Sequence, residues 1–455
     1  MGRLFGTDGI RGIANADLST DLADRVGRAA VYALLAGGRG RFAVGRDPRI
    51  SGDLLEAALT AGVCSAGSDI LRLGVLPTPG VAYLARRLGV DAGIVISASH
   101  NPVEDNGIKF FAPTGFKFPD AVEDRIEALV EDAPSRPRPI GVSVGHVIAV
   151  PDAAEQYLAS LVGLARARLS GWRIIVDCAH GAVSAIAPRL WEQLGATVIA
   201  VCASPDGTNI NAGCGSTHPR VIQEAVVAHH ADVGFAHDGD GDRVIGADRR
   251  GRLVDGDTIM GITALHRAAR GQLPGNLLVA TVMTNLGLEV ALRDAGIRLD
   301  RSRVGDRYVL ERMLEMGARV GGEQSGHVIF LDHATTGDGL VTALQLVNVV
   351  LESGRSLEDL AAPFQRYPQI LLNVRVVTPE RWEHDGEILE AVARAERHLR
   401  GRGRVLVRAS GTEPLVRVMT ESTDAQVALK VAHDLADLIS RRLGGTIVSP
   451  PAAAS

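Results

Sequence analysis

Lysine is nearly missing from this chain. Only Lys109, Lys117 and Lys430 occur among 48 basic residues, and the rest are arginine. That bias is the signature of a GC-rich genome, and it makes each surviving lysine more informative. Aromatic residues are also scarce, at 4%, which leaves Ala, Val, Leu and Ile to build the cores. The four cysteines, Cys64, Cys178, Cys202 and Cys214, lie far apart and form no Cys-x-x-Cys pair. They read as reduced thiols of a cytosolic protein. No uncharged apolar run approaches the ~18 residues needed to span a membrane. Met1-Gly-Arg-Leu-Phe-Gly-Thr-Asp8 has no apolar signal core. A cytoplasmic protein with no membrane partner is expected. The net charge of −5 argues against a nucleic-acid partner and leaves small anionic substrates open.

The chain has 455 residues, 46% of them apolar, which at roughly 150 residues per domain allows three or four domains. A strand–helix–strand pattern recurs. It runs from Phe42 through a helix near Ser51 that stops by Gly67, then a strand from Asp69 to Val75. It returns from Arg173 through a helix stopping at Gly195 to a strand at Thr197, and again from Leu277 through a helix stopping at Gly296 to a strand near Ile297. Each helix ends at glycine, which suits a left-handed stop. The alternation predicts layered α/β domains. Ala133-Pro-Ser-Arg-Pro-Arg-Pro marks a boundary region. Beyond Tyr367 the pattern becomes strand (370–377), helix (386–399), strand (404–408), strand (415–421), helix (425–443), a small α+β domain. The Pro450-Pro-Ala-Ala-Ala-Ser tail is expected to be disordered.

Four loops carry candidate chemistry. Asp238-Gly-Asp-Gly-Asp-Arg243 follows a strand at Val233 and spaces three carboxylates so that they can converge on one hard cation, Mg²⁺ or Ca²⁺. An EF-hand is excluded, because its Gly and Glu positions hold Arg243 and Arg249. Gly93-Ile-Val-Ile-Ser-Ala-Ser-His-Asn-Pro102 delivers Ser97 or Ser99 as a nucleophile, with His100 adjacent, to the carboxyl end of a strand. Lys109 follows closely and can offset phosphate charge. Gly321-Gly-Glu-Gln-Ser-Gly-His327 offers Glu323 and Ser325 to sugar hydroxyls, and His327 to proton transfer. Arg408-Ala-Ser-Gly-Thr-Glu-Pro414, with Arg417, makes an anion trap of two guanidiniums, two hydroxyls and a Gly-containing turn. Gly141-Val-Ser143-Val-Gly145 fits the hydrolase pattern G-x-S-x-G but lacks the strand before and helix after that a nucleophile elbow requires.

Together and in this order, the four loops resemble the α-D-phosphohexomutase superfamily. Phe5-Gly-Thr-Asp-Gly-Ile-Arg-Gly12 and Glu323-Gln-Ser-Gly-His327 are similar to its glucosamine-phosphate branch. The resemblance implies an α/β fold of three similar domains and a smaller α+β C-terminal domain around a central cleft. It places these at 1–150 (phosphoserine loop), 151–252 (metal loop), 253–368 (sugar loop) and 369–455 (phosphate loop). It implies interconversion of glucosamine 6-phosphate and glucosamine 1-phosphate on the route to UDP-N-acetylglucosamine for the cell wall. It further implies one Mg²⁺ per subunit and a sugar 1,6-bisphosphate activator, and it leaves room for a homodimer. By matching position, Ser99 resembles the phosphoserine, and with Asp238, Asp240 and Asp242 the metal ligands. Arg11, Lys109 and Arg243 resemble charge-stabilising neighbours. Glu323 and Ser325 resemble the sugar-reading pair. Arg408, Ser410, Gly411, Thr412 and Arg417 resemble the distal phosphate site. Ala409 departs from the family, where Pro is frequent, and only loop stiffness is at issue. The rival readings are a phosphoglucomutase or phosphomannomutase, a metal-dependent phosphatase, and a Ca²⁺-binding protein.

Overall fold

The structure is a computed structural model, and it describes residues 4–6, 8–35, 38–136, 138–410 and 413–448. The described residues form two compact units. The first comprises residues 1–283 with 297–361, the second residues 284–296 with 362–455.

The first unit holds three sheets. In the first, β1 (Ile10–Ile13), β2 (Arg41–Arg46), β3 (Asp69–Val75), β4 (Ala92–Ile96), β5 (Asp105–Phe111) and β6 (Val147–Ala149) lie in the order β1-β5-β4-β2-β3-β6. The β4, β2, β3 and β6 neighbours are parallel, β5 joins antiparallel to β4, and β1 joins antiparallel to β5. Phe42, Val44, Ile94 and Ile96 share one face with side chains from helices Thr20–Leu35, Ile50–Ser65 and Asp120–Val130. Helix Thr78–Leu88 also packs on β2 and β4. This arrangement opens the carboxyl end of β4 into the Ser97–Pro102 loop.

In the second sheet β7 (Arg173–Asp177), β8 (Thr197–Val201), β9 (Val233–His237), β10 (Val244–Asp248) and β11 (Leu253–Val254) run in the order β11-β10-β9-β7-β8. The β9–β10 pair is an antiparallel hairpin whose turn is the Asp238–Arg243 loop. The third sheet joins β12 (Leu277–Thr281), β13 (Arg298–Ser302), β14 (Val320–Gly322) and β15 (Val328–Phe330) in the order β13-β12-β14-β15. Its β14–β15 hairpin carries Glu323–His327.

The second unit contains β16 (Gln369–Arg375), β17 (Gly403–Ala409), β18 (Leu415–Ser422) and β19 (Thr446–Val448), all antiparallel, in the order β17-β18-β16-β19. Helices Gly386–Leu399 and Ala425–Leu443 bury Ile388, Leu399, Leu435 and Ile439 in the same core as Val374, Val416 and Val418. Helix Leu286–Asp294, which the sequence places between two strands of the third α/β repeat, belongs to this second unit. The reason is polar: Asn285 Nδ2 donates to Tyr367 O (3.0 Å) and to Glu421 Oε1 (3.2 Å), and Arg404 Nη2 donates to Thr284 O (2.7 Å).

The three expected α/β repeats are present, and the glycines that end them, Gly67, Gly195 and Gly296, adopt φ of +95°, +97° and +71°. The G-x-S-x-G segment is an exposed 3₁₀ turn at Gly141–Ser143. The tail from Pro450 lies outside the described residues. No described helix is long and apolar enough to cross a membrane.

Candidate active site

Ser99 sits one turn beyond β4 in a left-handed conformation, φ +53°, and is buried. A non-glycine residue held there stores about 1 kcal/mol and persists only where its surroundings demand it. The demand is visible. Ser99 N donates to Ser97 Oγ (2.9 Å), and Ser97 Oγ donates to Asp47 Oδ2 (2.6 Å). The Ser99 carbonyl accepts from Arg49 Nη2 (3.0 Å) and Asn211 Nδ2 (2.9 Å). With its backbone gripped on both sides, Ser99 points its hydroxyl at Asp238 Oδ2, 2.5 Å away. Of the two serines the sequence leaves as candidates, Ser97 is the brace and Ser99 faces the acidic loop. His100 Nδ1 lies 3.3 Å from Ser99 Oγ, but burial and then the Arg243 and Arg11 charges push its pKa down to about 3, so it stays neutral.

Asp238, Asp240 and Asp242 place one oxygen each within 4.8 Å of the others, and all three are buried. Asp240 Oδ2 accepts from Thr78 Oγ1 (2.6 Å) and Lys109 Nζ (3.0 Å). Burial opposes its ionisation, but the Lys109 charge and the hydrogen bonds from Thr78 and Lys109 together outweigh it and hold the carboxyl below its usual range. Asp238 and Asp242 are pushed the other way, by burial and then by their carboxylate neighbours. Asp240 Oδ1 and Asp242 Oδ1 are buried without a hydrogen-bond partner among the described residues. Such orphaned oxygens are costly unless something binds them. Hard oxygen donors, crowded negative charge and free lone pairs together fit a divalent cation such as Mg²⁺.

The loops are joined by a chain of charges that the sequence does not reveal. Lys109 Nζ lies 3.0 Å from Asp240 and 3.0 Å from Asp8. Asp8 also pairs with Arg11 and with Lys117, and Lys117 pairs in turn with Asp306. His327 Nε2 lies 3.8 Å from Asp306 Oδ2 and 3.9 Å from Asp242 Oδ2, closing the chain on the acidic loop. Burial works against charge on Asp8, but Lys109, Lys117 and Arg11 overcome it and hold the carboxyl well below its usual range. Burial likewise works against Lys109, and Asp240 and Asp8 overcome it and keep the ammonium charged. Asp8, Lys117, Asp306, Thr78 and Asn211 were missed by sequence reasoning. Two of them had a signal: Lys117 is one of three lysines, and Asp8 lies inside the Phe5–Gly12 motif.

Arg243 leaves the acidic loop beside Asp242, Nε to Oδ1 3.8 Å, and its Nε has no hydrogen-bond partner among the described residues. The sugar loop lies against the same hairpin: Val244 N donates to Gly326 O (3.1 Å). Glu323 Oε1 accepts from Gly305 N (3.0 Å), and Ser325 Oγ reaches Glu323 Oε2 at 3.4 Å, with Ser325 exposed. Ser99, Lys109, Arg11, Arg243, Glu323, Ser325, His327 and the three aspartates all belong to the first unit.

In the second unit Arg408 and Arg417 are register partners on β17 and β18. Burial and the Arg417 charge both push the Arg408 pKa down, the mark of two guanidiniums with too little negative charge between them. Arg417 Nη2 donates to Glu413 Oε2 (2.9 Å), and Ser410 is buried at the strand end. Gly411 and Thr412 lie outside the described residues.

Four family descriptions match the chain in order. Phosphoglucomutase/phosphomannomutase alpha/beta/alpha domains I, II and III match residues 2–136, 155–251 and 255–367, and the C-terminal domain of the same family matches 371–438. Phosphoglucosamine mutase from Symbiobacterium thermophilum is 56% identical over 97% of this chain and 100% of that protein. That from Desulforamulus reducens is 54% identical over 96% and 99%. Among solved structures, a phosphoglucomutase/phosphomannomutase family protein from Burkholderia thailandensis has a TM-score of 0.83 at 25% identity, covering 98% of this chain and 99% of that one. N-acetylphosphoglucosamine mutase of Aspergillus fumigatus, solved with GlcNAc-6P and magnesium, shares the fold at TM-score 0.69 and 17% identity, covering 97% and 96%. With all four domains matched in order and full-length relatives sharing more than half of its residues, the chain belongs to the phosphoglucosamine mutases of the phosphohexomutase family.

Proposed function

We propose that the chain interconverts glucosamine 6-phosphate and glucosamine 1-phosphate through a phosphate carried on Ser99, with a sugar 1,6-bisphosphate as intermediate and activator. The observation that carries this reading is the 2.5 Å contact between Ser99 Oγ and Asp238 within a buried cluster of three aspartates. A hydroxyl held by a rigid backbone at the edge of a cation site is what phosphoryl transfer needs, since positioning and charge neutralisation supply most of its catalysis.

In the first transfer a sugar hydroxyl attacks the phosphorus, the bond from phosphorus to Ser99 Oγ breaks, and the hydroxyl proton leaves to a base. His327, buried with Nε2 facing Asp306 and Asp242 and with neither ring nitrogen hydrogen-bonded among the described residues, is the residue assigned to carry it. Lys109, Arg243 and Arg11 balance the charge of the transferring group, and Glu323 and Ser325 take the sugar hydroxyls. Mg²⁺, held by Asp238, Asp240 and Asp242 with a phosphate oxygen on Ser99, would polarise the phosphoryl group. Arg408, Ser410 and Arg417 of the second unit, with Gly411 and Thr412, are assigned the phosphate that is not reacting. After the bisphosphate turns, its other phosphate returns to Ser99.

The test incubates the protein with each hexose phosphate and scores isomer against free inorganic phosphate. Glucosamine 6-phosphate should isomerise with the highest kcat/KM, and Ser99→Ala should nearly abolish turnover. Free phosphate as the main product would replace the mutase by a phosphatase. Equal or better turnover of glucose 1-phosphate would make the protein a phosphoglucomutase.

A further inference from the structure

Outside the aspartate loop, the described residues hold a second convergence of metal-binding side chains. His180, Cys202 and Cys214 each place a ligand atom within 4.8 Å of the other two. His180 follows β7, Cys202 is the first residue beyond β8, and Cys214 lies in the loop before helix Arg220–Ala228, so the fold gathers three separate segments at one end of the second sheet. None of the three has a part in the chemistry above. The cysteines, which read as isolated thiols in the sequence, are therefore partly a cluster.

Two sulfurs and an imidazole nitrogen select soft or borderline cations of the zinc class, not Mg²⁺, which prefers oxygen. Cys214 is buried, whereas His180 and Cys202 are partly exposed, which leaves an entry path. The backbone is bent to bring them there: Ala179, His180 and Cys202 adopt φ of +53°, +48° and +48°. Asp177, anchored by the N–H groups of Ala179 (2.9 Å) and Gly215 (2.8 Å), adds negative charge behind the cluster. Ser204 N–H competes for His180 Nδ1 over 3.3 Å, a long bond that a cation displaces easily.

We propose that His180, Cys202 and Cys214 form a three-ligand site for a zinc-class divalent cation, with water in the fourth position. Its place gives it a task. The loop bearing His180 continues to Ala182, whose N–H donates to Gly239 O of the aspartate loop (2.8 Å). The loop bearing Cys214 also carries Asn211, which holds the Ser99 carbonyl (2.9 Å). A cation there would tie together the two loops that brace the active site.

The test uses the full chain, stripped with a chelator, kept reduced, and titrated with Co²⁺ as the probe. The wild type should develop a thiolate-to-cobalt charge-transfer band saturating at one equivalent. Cys202→Ser and His180→Asn, both at partly exposed positions, should weaken Co²⁺ binding by at least about 10-fold and dim the band. Asp240→Asn should leave the band unchanged, which separates this site from the aspartate loop. Zn²⁺ added over saturating Mg²⁺ should raise the wild-type melting temperature and leave that of Cys202→Ser unmoved. A wild type with no thiolate band, or a band of equal strength in Cys202→Ser, overturns the proposal.

Discussion

Asp240 shows how a single residue is suited to the cation-binding role proposed for it. Its Oδ2 is committed to Thr78 and Lys109, and its Oδ1 is buried with no hydrogen bond among the described residues. Thr78 is the aiming device, and its backbone N–H separately holds the Asp240 carbonyl (2.9 Å), so the loop should survive loss of the hydroxyl. Thr78→Val, nearly equal in volume, should raise the Mg²⁺ concentration for half-maximal activity about 10-fold while leaving the melting temperature almost unchanged. An unaltered Mg²⁺ titration would remove Thr78 from the site. The three aspartates were legible because their spacing is itself the motif. Thr78 was not, because its meaning comes from a contact across 162 positions. Asp338 is a second case. It caps the helix Gly339–Ser353 and accepts from Tyr157 Oη (2.7 Å), and burial pushes its pKa up to about 6. An unfolded aspartate titrates near ~4. The folded protein therefore gains from protonated Asp338 below about pH 4, and that stability is lost as pH rises through about 6. Asp338→Asn keeps the cap and abolishes the titration. Its melting temperature relative to wild type should climb between pH 4 and 6 and level off above, an effect worth about 2–3 kcal/mol. A flat difference across that range would show that Asp338 does not titrate there.

At the scale of elements, the regular parts of the fold were readable because local chemistry decides them. β-branched runs gave the strands, and glycine stops gave the ends of the helices. What could not be read was allegiance. Helix Leu286–Asp294 has the same sequence grammar as its counterparts, yet hydrogen bonds from Asn285 draw it into the second unit. The short β19 and the pairing of β6 with β3 were also set by tertiary contact rather than by pattern. The hairpin loops depend on one glycine in particular. Gly326, φ +94°, is pressed against the backbone of Val244, and an added Cβ would overlap the Val244 carbonyl oxygen. Gly354, φ +65°, ends a helix with nothing within 4 Å of an added Cβ. Gly354→Ala should lower stability by about 1 kcal/mol, the left-handed strain alone. Gly326→Ala adds overlap to strain and should lose about 3 kcal/mol or more. Its KM for sugar phosphate should also rise, since the loop holding Glu323 and Ser325 must move. Equal melting temperatures for the two variants would contradict this reading of the hairpin contact.

Across the whole first unit, the charges only make sense together. Asp8, Asp238, Asp240, Asp242 and Asp306 bring five carboxylates, against the four fixed cations Arg11, Lys109, Lys117 and Arg243. Fully ionised, they leave a negative surplus at the aspartate loop, where a dication is expected, and burial and crowding resist that surplus on Asp238 and Asp242. Lys117 is the link farthest from the chemistry and the best place to test the chain. It stands between Asp8 and Asp306, and Asp306 stands beside His327. Of the three lysines, it and Lys109 are buried or nearly so in this charge chain, whereas Lys430 is exposed on its helix. Lys117→Met would leave two carboxylates facing each other across the space the ammonium filled. Breaking a buried pair in this way costs about 3–5 kcal/mol, mostly as uncompensated charge. The melting temperature should fall, and kcat should fall with it, because Asp8 no longer holds Lys109 against a fixed counter-charge. Removing the second charge should repair much of the damage. The double variant Lys117→Met, Asp306→Asn should therefore be more stable than Lys117→Met alone, although each single change is unfavourable. That non-additivity belongs to residues in one charge network and not to independent sites. If the double variant loses the sum of the two single losses, Lys117 and Asp306 are not coupled, and the chain of charges from the aspartate loop to His327 is broken at that link.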